Sequence, residues 1–183
     1  MLTAAGVAFT AVAPNVDEEG IAAGLAAEYA SAAAVADALA EVKAVKVSRR
    51  VAGLVLGSDS IVVTADGRFL TKPETRARAA AQLRDLSATT HTIVSAAVIA
   101  EGGVAVWRAA GTARLTMRAL SDGFIDDYLA AEGDAVLGCV GTYRVEGRGA
   151  QLFTRIDGDH FAIRGLPLLA ALDYLRVRGE IGT

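Results

Sequence analysis

The sequence predicts an α/β domain in which a mixed, strongly twisted sheet is flanked by helices. Three observations carry this: apolar residues at three- and four-residue spacing from Ser31 to Arg50, two long β-rich runs joined by Glu101-Gly102-Gly103, and an irregular alternation of hairpins with helices. In chain order, Val7 to Val12 reads as a short strand, Pro14 to Glu19 as an acidic loop, and Ser31 to Arg50 as a long helix. Leu54 to Val63 and Arg68 to Leu70 read as a hairpin turned by Asp66-Gly67. Glu74 to Leu86 comes next as a helix, with Pro73 near a first turn where its missing N–H costs nothing. His91 to Ala100 and Val104 to Arg118 pair as long strands, and Ser121 caps a helix running to Ala131. Thr142 to Glu146 and Ala150 to Ile156 read as strands around Gly147-Arg148-Gly149, and Leu166 to Arg176 closes the chain as a helix.

Composition narrows the partners. A chain of 183 residues, 53% of them hydrophobic, buries one sizeable core and needs no second domain. Its net charge of −3 argues against a surface for polyanions, so single nucleotides remain while nucleic acid is not expected. Charged residues from Glu28 to Lys46 interrupt the alanine-rich segment well short of the roughly 18 to 20 apolar residues a membrane span needs. The first residues show no secretory pattern, and Cys139 is the only cysteine and reads as a small buried hydrophobe; a reducing, cytoplasmic setting is expected. Of 18 basic residues only Lys43, Lys46 and Lys72 are lysines, in a chain that otherwise favours arginine, which singles out positions where a compact ammonium is needed.

One acidic residue stands where a core strand should have none. Asp59 interrupts the apolar run VLGSDSIVV, Val55 to Val63, and Thr71-Lys72-Pro73 comes after the hairpin. Either a metal ion or a cation such as Lys72 neutralises Asp59 in a cleft, or Asp59 ends the strand and caps a turn. His91 and His160 are too far apart to suggest a metal pair and read as strand-end residues, and Trp107 as an ordinary strand aromatic. Gly53, Gly57 and Gly67 form no phosphate-binding glycine motif.

These residues do not stand alone. VLGSDSIVV with Thr71-Lys72-Pro73 resembles the central motif of the Maf family of nucleoside triphosphate pyrophosphatases. Val16-Asp17-Glu18, Leu39 to Ala44 (LAEVKA), Met117 to Leu129 (MRALSDGFIDDYL), Gly141 to Gly149 (GTYRVEGRG) and GLPL at Gly165 to Leu168 keep the family's order, so the resemblance covers nearly the whole chain. It implies an inosine-triphosphatase-like fold with two lobes around a nucleotide cleft. It also implies hydrolysis of modified or non-standard triphosphates to monophosphate and pyrophosphate, a house-cleaning role linked to septum formation, with Mg²⁺ or another divalent cation such as Mn²⁺. A homodimer is compatible with it.

The resemblance further implies roles for single residues. Asp59 accepts the proton of the attacking water or holds the metal, Glu18 shares the metal, and Lys43 and Lys72 are catalytic cations. Read without it, Glu18 belongs to a solvated loop and Lys43 to the outer face of a helix. Ser60 and Glu146 fall at substrate-binding positions. Glu146 stands where pyrimidine-type members carry Gln, and a carboxylate, which only accepts hydrogen bonds, complements the donor edge of guanine; this version resembles the 7-methyl-GTP branch. Ser60 departs from both branches, and Glu146 alternatively reads as an exposed hairpin residue.

One family motif has no counterpart. Members begin with a strand and a loop of the type Leu-Ala-Ser-x-Ser-x-x-Arg-Arg that grips phosphates, and Met1 to Val7 matches the family segment just beyond that loop. The expectation is a single domain, residues 1–183, with the first strand and phosphate loop missing, either because the natural start lies upstream or because this is an impaired relative; the first is favoured. The rival to the enzyme is therefore a catalytically silent nucleotide-binding or interaction protein.

Overall fold

The structure, a computed structural model, describes residues 1–18, 20–21, 24 and 31–182. Helix α1 (Ala32–Ser48) opens the main body, with the Ser31 hydroxyl accepting from the Ala34 N–H at 3.3 Å. Strand β1 (Val55–Val63) turns through Asp66-Gly67 into the short β2 (Phe69–Leu70), and helix α2 (Arg76–Leu86) comes next, capped by Thr75. Strands β3 (Thr90–Glu101) and β4 (Val104–Met117) form a hairpin over Gly102-Gly103, both at positive φ, where glycine carries no Cβ penalty. Helix α3 (Asp122–Glu132), capped by Ser121, β5 (Phe153–Gly158), the single turn α4 (His160–Ile163) and α5 (Leu168–Val177) complete the order.

The α/β class holds, with one correction. The sheet, expected to be mixed, runs β2-β1-β3-β4-β5 with every pairing antiparallel among the described residues. Hairpins make two of these pairings, and a hairpin can only be antiparallel. Val7–Val12 forms no strand, and Phe9 within it is exposed. Thr142–Glu146 is not a strand either: Gly141 and Thr142 take positive φ, and Gly147 N–H bonds back to the Arg144 carbonyl. Its alternation is real, since Tyr143 and Val145 are buried while Glu146 is exposed, but it serves packing without a ladder partner. Residues Arg148–Leu152 form a 3-10 helix before β5, and Pro73 lies outside α2 because Thr75 caps it. No helix among the described residues is long and apolar enough to cross a membrane.

Side-chain alternation along β1 divides the core. Ile61 packs with Val35, Leu39 and Ala40 of α1, together with Ala96, Val98 and Ala100 of β3. Val62 faces the other way, joining Ile93, Leu115 and Met117 against Leu83 and Leu86 of α2 and Ile125 and Tyr128 of α3. A third cluster lies under α5, where Leu168 and Leu172 meet Ala97, Leu56 and Trp107. The buried stripe of α1 is rich in alanine, and that lets the helix lie close to the sheet. Gly57 is the contact point: a Cβ there would stand 2.4 Å from the Ala40 carbonyl oxygen and 2.8 Å from the Ala44 nitrogen.

Candidate active site

Asp59 shares the α1 face of β1 with Gly57 and Ile61, by the two-residue period of a strand. Because α1 approaches so closely at Gly57, Lys43 on that helix reaches Asp59 directly, its Nζ lying 2.5 Å from Oδ1. The same ammonium meets Glu18 Oε1 at 2.9 Å, and Glu18 Oε2 accepts from Lys72 Nζ at 3.0 Å. Four residues far apart in sequence thus form one chain of charges, Asp59–Lys43–Glu18–Lys72, with two of each sign. The Lys43 and Asp59 side chains are each only 12% exposed, whereas Lys72 is 50% exposed. The inner pair is thus largely shielded from solvent, and the outer lysine stands half in it.

This corrects the expectation that Lys72 neutralises Asp59. Lys43 does so by direct contact, while Lys72 bonds Glu18 and acts on Asp59 from a distance, as the smallest of its charge effects. Nor is Lys43 on a solvated helix face. Burial pushes the Asp59 carboxyl above its ordinary value of 3.8 despite the Lys43 ammonium, and the Glu18 charge adds to the rise. Burial opposes charge on Glu18 as well, but two lysine hydrogen bonds prevail and hold its carboxyl below the usual range. Burial also disfavours charge on Lys43, yet its carboxylate partners raise its pKa and keep it protonated. Environment therefore shifts the two acids in opposite directions, Asp59 up and Glu18 down.

Ser60 lies on the opposite face of β1. Its hydroxyl bonds the Ser95 hydroxyl at 2.6 Å, which donates to the Ala162 carbonyl at 2.6 Å. On the same face Ser58 Oγ lies 2.5 Å from the Gly165 carbonyl oxygen. Next in the chain, Arg164 points its Nε at Glu146, 3.9 Å away, while Arg144 Nε approaches Glu146 from another side at 3.8 Å. Arg144 is itself paired at 3.4 Å with Glu132, a carboxylate only 8% exposed that also accepts from the Arg148 N–H. Ser60 and Glu146 thus stand apart from the lysine–carboxylate chain, across the strand from Asp59. Only Val62 and Val63 of β1 pair with β2, so among the described residues the edge from Val55 to Ile61 is unpaired.

Sequence reasoning missed the residues that support the Glu146 segment. Arg144, Glu132 and Arg164 look like surface charges in the sequence, and no spacing rule links them. His91 sits at a strand end as expected, as the second residue of β3, but it is buried there, its Nε2 lying 3.0 Å from the Tyr143 hydroxyl. With the proton on Nε2, Nδ1 is left as an acceptor with no partner in an apolar setting. Burial lowers the His91 pKa from 6.5 to about 4. The unfolded chain therefore takes up a proton between those values that the folded chain refuses, and stability falls as pH drops through that window, by up to about 3 kcal/mol. In thermal unfolding from pH 7 to 4.5, His91→Gln should show a flatter fall of Tm than the wild type. An unchanged slope would place the acid sensitivity elsewhere.

The arrangement defines a class: an α/β protein with paired lysines and carboxylates at the edge of an antiparallel sheet, beside a groove. The family described as Maf-like protein matches residues 1–178, and the chain belongs to that family. It is 47% identical over 180 residues to a protein of Sphingopyxis alaskensis, covering 98% of this chain and 91% of the relative. It is 46% identical over 181 residues to one of Caulobacter vibrioides, covering 99% and 90%, and 47% identical over 183 residues to one of Hyphomonas neptunium, covering 100% and 92%. All three relatives carry the name nucleoside triphosphate pyrophosphatase.

Proposed function

We propose that this protein is a nucleoside triphosphate pyrophosphatase that releases pyrophosphate from nucleotides and leaves the monophosphate. The observation that carries the reading is the Asp59–Lys43–Glu18–Lys72 chain, placed where Glu18 and Lys43 line a groove of about 1050 Å³ that runs along β1 from Leu54 to Ser58. A triphosphate has the charge to draw both ammoniums away from their carboxylates. Lys72, exposed, contacts the phosphates first, and Lys43 stays close to the reacting centre. Asp59 then takes a proton from water as the water oxygen bonds to the α-phosphorus; the bond to the bridging oxygen breaks and pyrophosphate leaves with its electron pair. A raised pKa makes Asp59 a better base. It also puts the acid limb of activity above pH 3.8, the ordinary aspartate value, because activity is lost as pH falls through the pKa of the base.

A divalent cation suits this donor set. Among the described residues no group of three or more His, Cys, Asp or Glu side chains converges, but Glu18 and Asp59 already share one cation, the Lys43 ammonium. That fits an ion held by one or two carboxylates and by substrate phosphates, for which Mg²⁺ is suited. When bound, such an ion would neutralise phosphate charge and orient the water. The test is pyrophosphate release from a panel of nucleoside triphosphates with Mg²⁺ or Mn²⁺. No release from any of them would overturn the reading and favour a silent nucleotide-binding protein.

The second set of residues is suited to the base. A nucleotide lying across the unpaired edge of β1 keeps its phosphates on the Asp59 side and carries its base toward Ser60 and Glu146. Glu146 is flanked by two guanidiniums and still half-open, so it can turn a carboxylate oxygen to adjacent donors on guanine or 7-methylguanine. Glu146→Gln should lower kcat/KM for 7-methyl-GTP and GTP by roughly 1 to 3 kcal/mol while changing UTP and dTTP little. Equal slowing of all four would move Glu146 into the catalytic set.

A further inference from the structure

We propose that Gln82 is a positioning residue that ties the turn carrying Lys72 to the segment carrying Glu146, so that the phosphate and base ends of the site move as one. The proposal rests on the roles just given to Lys72 and Glu146. Gln82 sits on α2, which is anchored in the core by Ala79, Leu83 and Leu86. Its Nε2 donates to the Thr71 carbonyl at 2.8 Å, one residue before Lys72, and its Oε1 accepts from the Thr142 hydroxyl at 2.9 Å. The carbonyl can only accept, so the orientation of the amide is fixed and both of its ends are used.

The far end of this tie needs holding. Thr142 is fully buried and stands at φ +64°, a left-handed conformation unfavourable for a β-branched residue. Three contacts besides Gln82 keep the segment there: Thr142 N–H to the Cys139 carbonyl at 3.0 Å, the Tyr128 hydroxyl to the Thr142 carbonyl at 3.3 Å, and the neighbouring Tyr143 hydroxyl with His91. From Tyr143 the chain runs straight to Arg144 and Glu146. The other end is different in kind, because Thr71 and Lys72 are exposed between β2 and α2 and belong to neither element. Lys72 thus stands on a loop whose carbonyl is held by a side chain that is in turn held by the base-side segment.

Two readouts test this. In backbone ¹⁵N relaxation, Thr142→Val, which removes only the far end of the tie, should lower the order parameters of Thr71 and Lys72, and Gln82→Leu should lower them there and across residues 139–147. Unchanged order parameters of the Lys72 turn in Thr142→Val would overturn the tie, and this result does not depend on activity. In kinetics, Gln82→Leu should lower kcat/KM by about 10- to 100-fold, the scale of a small misplacement of a catalytic group. Gln82→Glu, which still accepts from Thr142 but cannot donate to Thr71, should show the same kcat loss with less effect on base preference. On a Lys72→Ala background, Gln82→Leu should cost less than about threefold, since residues acting through one another are non-additive. An equal loss on both backgrounds would make Gln82 a general stabilising residue and overturn the proposal. Failure of the wild type to release pyrophosphate would instead strike at the roles of Lys72 and Glu146, with the relaxation result still deciding the tie.

Discussion

Asp59→Asn should reduce kcat by about 10²- to 10⁴-fold, the range general-base removal produces, while a non-hydrolysable triphosphate analogue binds within about threefold of wild type. The amide keeps the shape of the carboxylate but cannot take the proton of water. The fold should survive the change, because Lys43 retains Glu18 at 2.9 Å and is not left as an unpaired buried charge. Pyrophosphate release and equilibrium binding, measured on the same preparation, separate the two effects. Turnover within tenfold of wild type would remove Asp59 from the base role, and Glu18, the other carboxylate bonded to Lys43, would be the next candidate.

Gly57→Ala should be strongly destabilising for a single added methyl group. The added carbon would stand 2.4 Å from the Ala40 carbonyl oxygen and 2.8 Å from the Ala44 nitrogen, both of them helix backbone that cannot rotate away. Relief requires α1 to shift as a body, and overpacking of this kind costs about 3 kcal/mol, or roughly 6 to 12 °C of Tm in a chain of this size. Because Lys43 rides on α1, the shift also opens the Lys43–Asp59 contact, so activity should fall below the folding transition too. Thermal unfolding and turnover at low temperature check the two halves. An unchanged Tm would mean that the seam between α1 and β1 yields without cost.

The elements legible in the sequence were those whose pattern is local. Ser31, Ser121 and the Gly102-Gly103 turn announce themselves within a few residues, and α1, α3 and the β3–β4 hairpin lie within two residues of where those cues put them. Thr142–Glu146 misled because alternation reports burial and not the presence of a ladder partner. Val7–Val12 misled differently, since its apolar Phe9 and Val12 are exposed and report neither burial nor a ladder partner. The direction of strands in the sheet was not legible beyond the hairpins, since it depends on where the intervening helices lie.

For the site, the residue types Asp59, Lys43, Glu18 and Lys72 could be picked out, but their connectivity could not. Which lysine meets Asp59 depends on how closely α1 approaches β1, and that distance is set by Gly57, Ala40 and Ala44, which carry no charge and no polar side chain to mark them. Gln82 and Thr142 were invisible for a related reason: a hydrogen-bonded amide and hydroxyl sixty residues apart leave no periodic trace.

The β3–β4 hairpin has a kinetic meaning. Its strands are joined across Gly102 and Gly103 alone, so the pairing of Glu101 with Val104 closes almost no loop, and the ladder can zip from there toward Thr90 and Thr116. Pairing β1 to β3 brings together residues such as Asp59 and Ala96, and the Lys43–Glu18 and Lys72–Glu18 contacts span still other separations, up to 54 residues. These distant closures are slow to search for and are rewarded only after the ribbon exists. The ribbon is thus the expected early scaffold, and the contacts of Glu18 with Lys43 and Lys72, which join separate stretches of chain, are expected to form later. A chain arrested partway would hold most of its sheet and none of its chemistry.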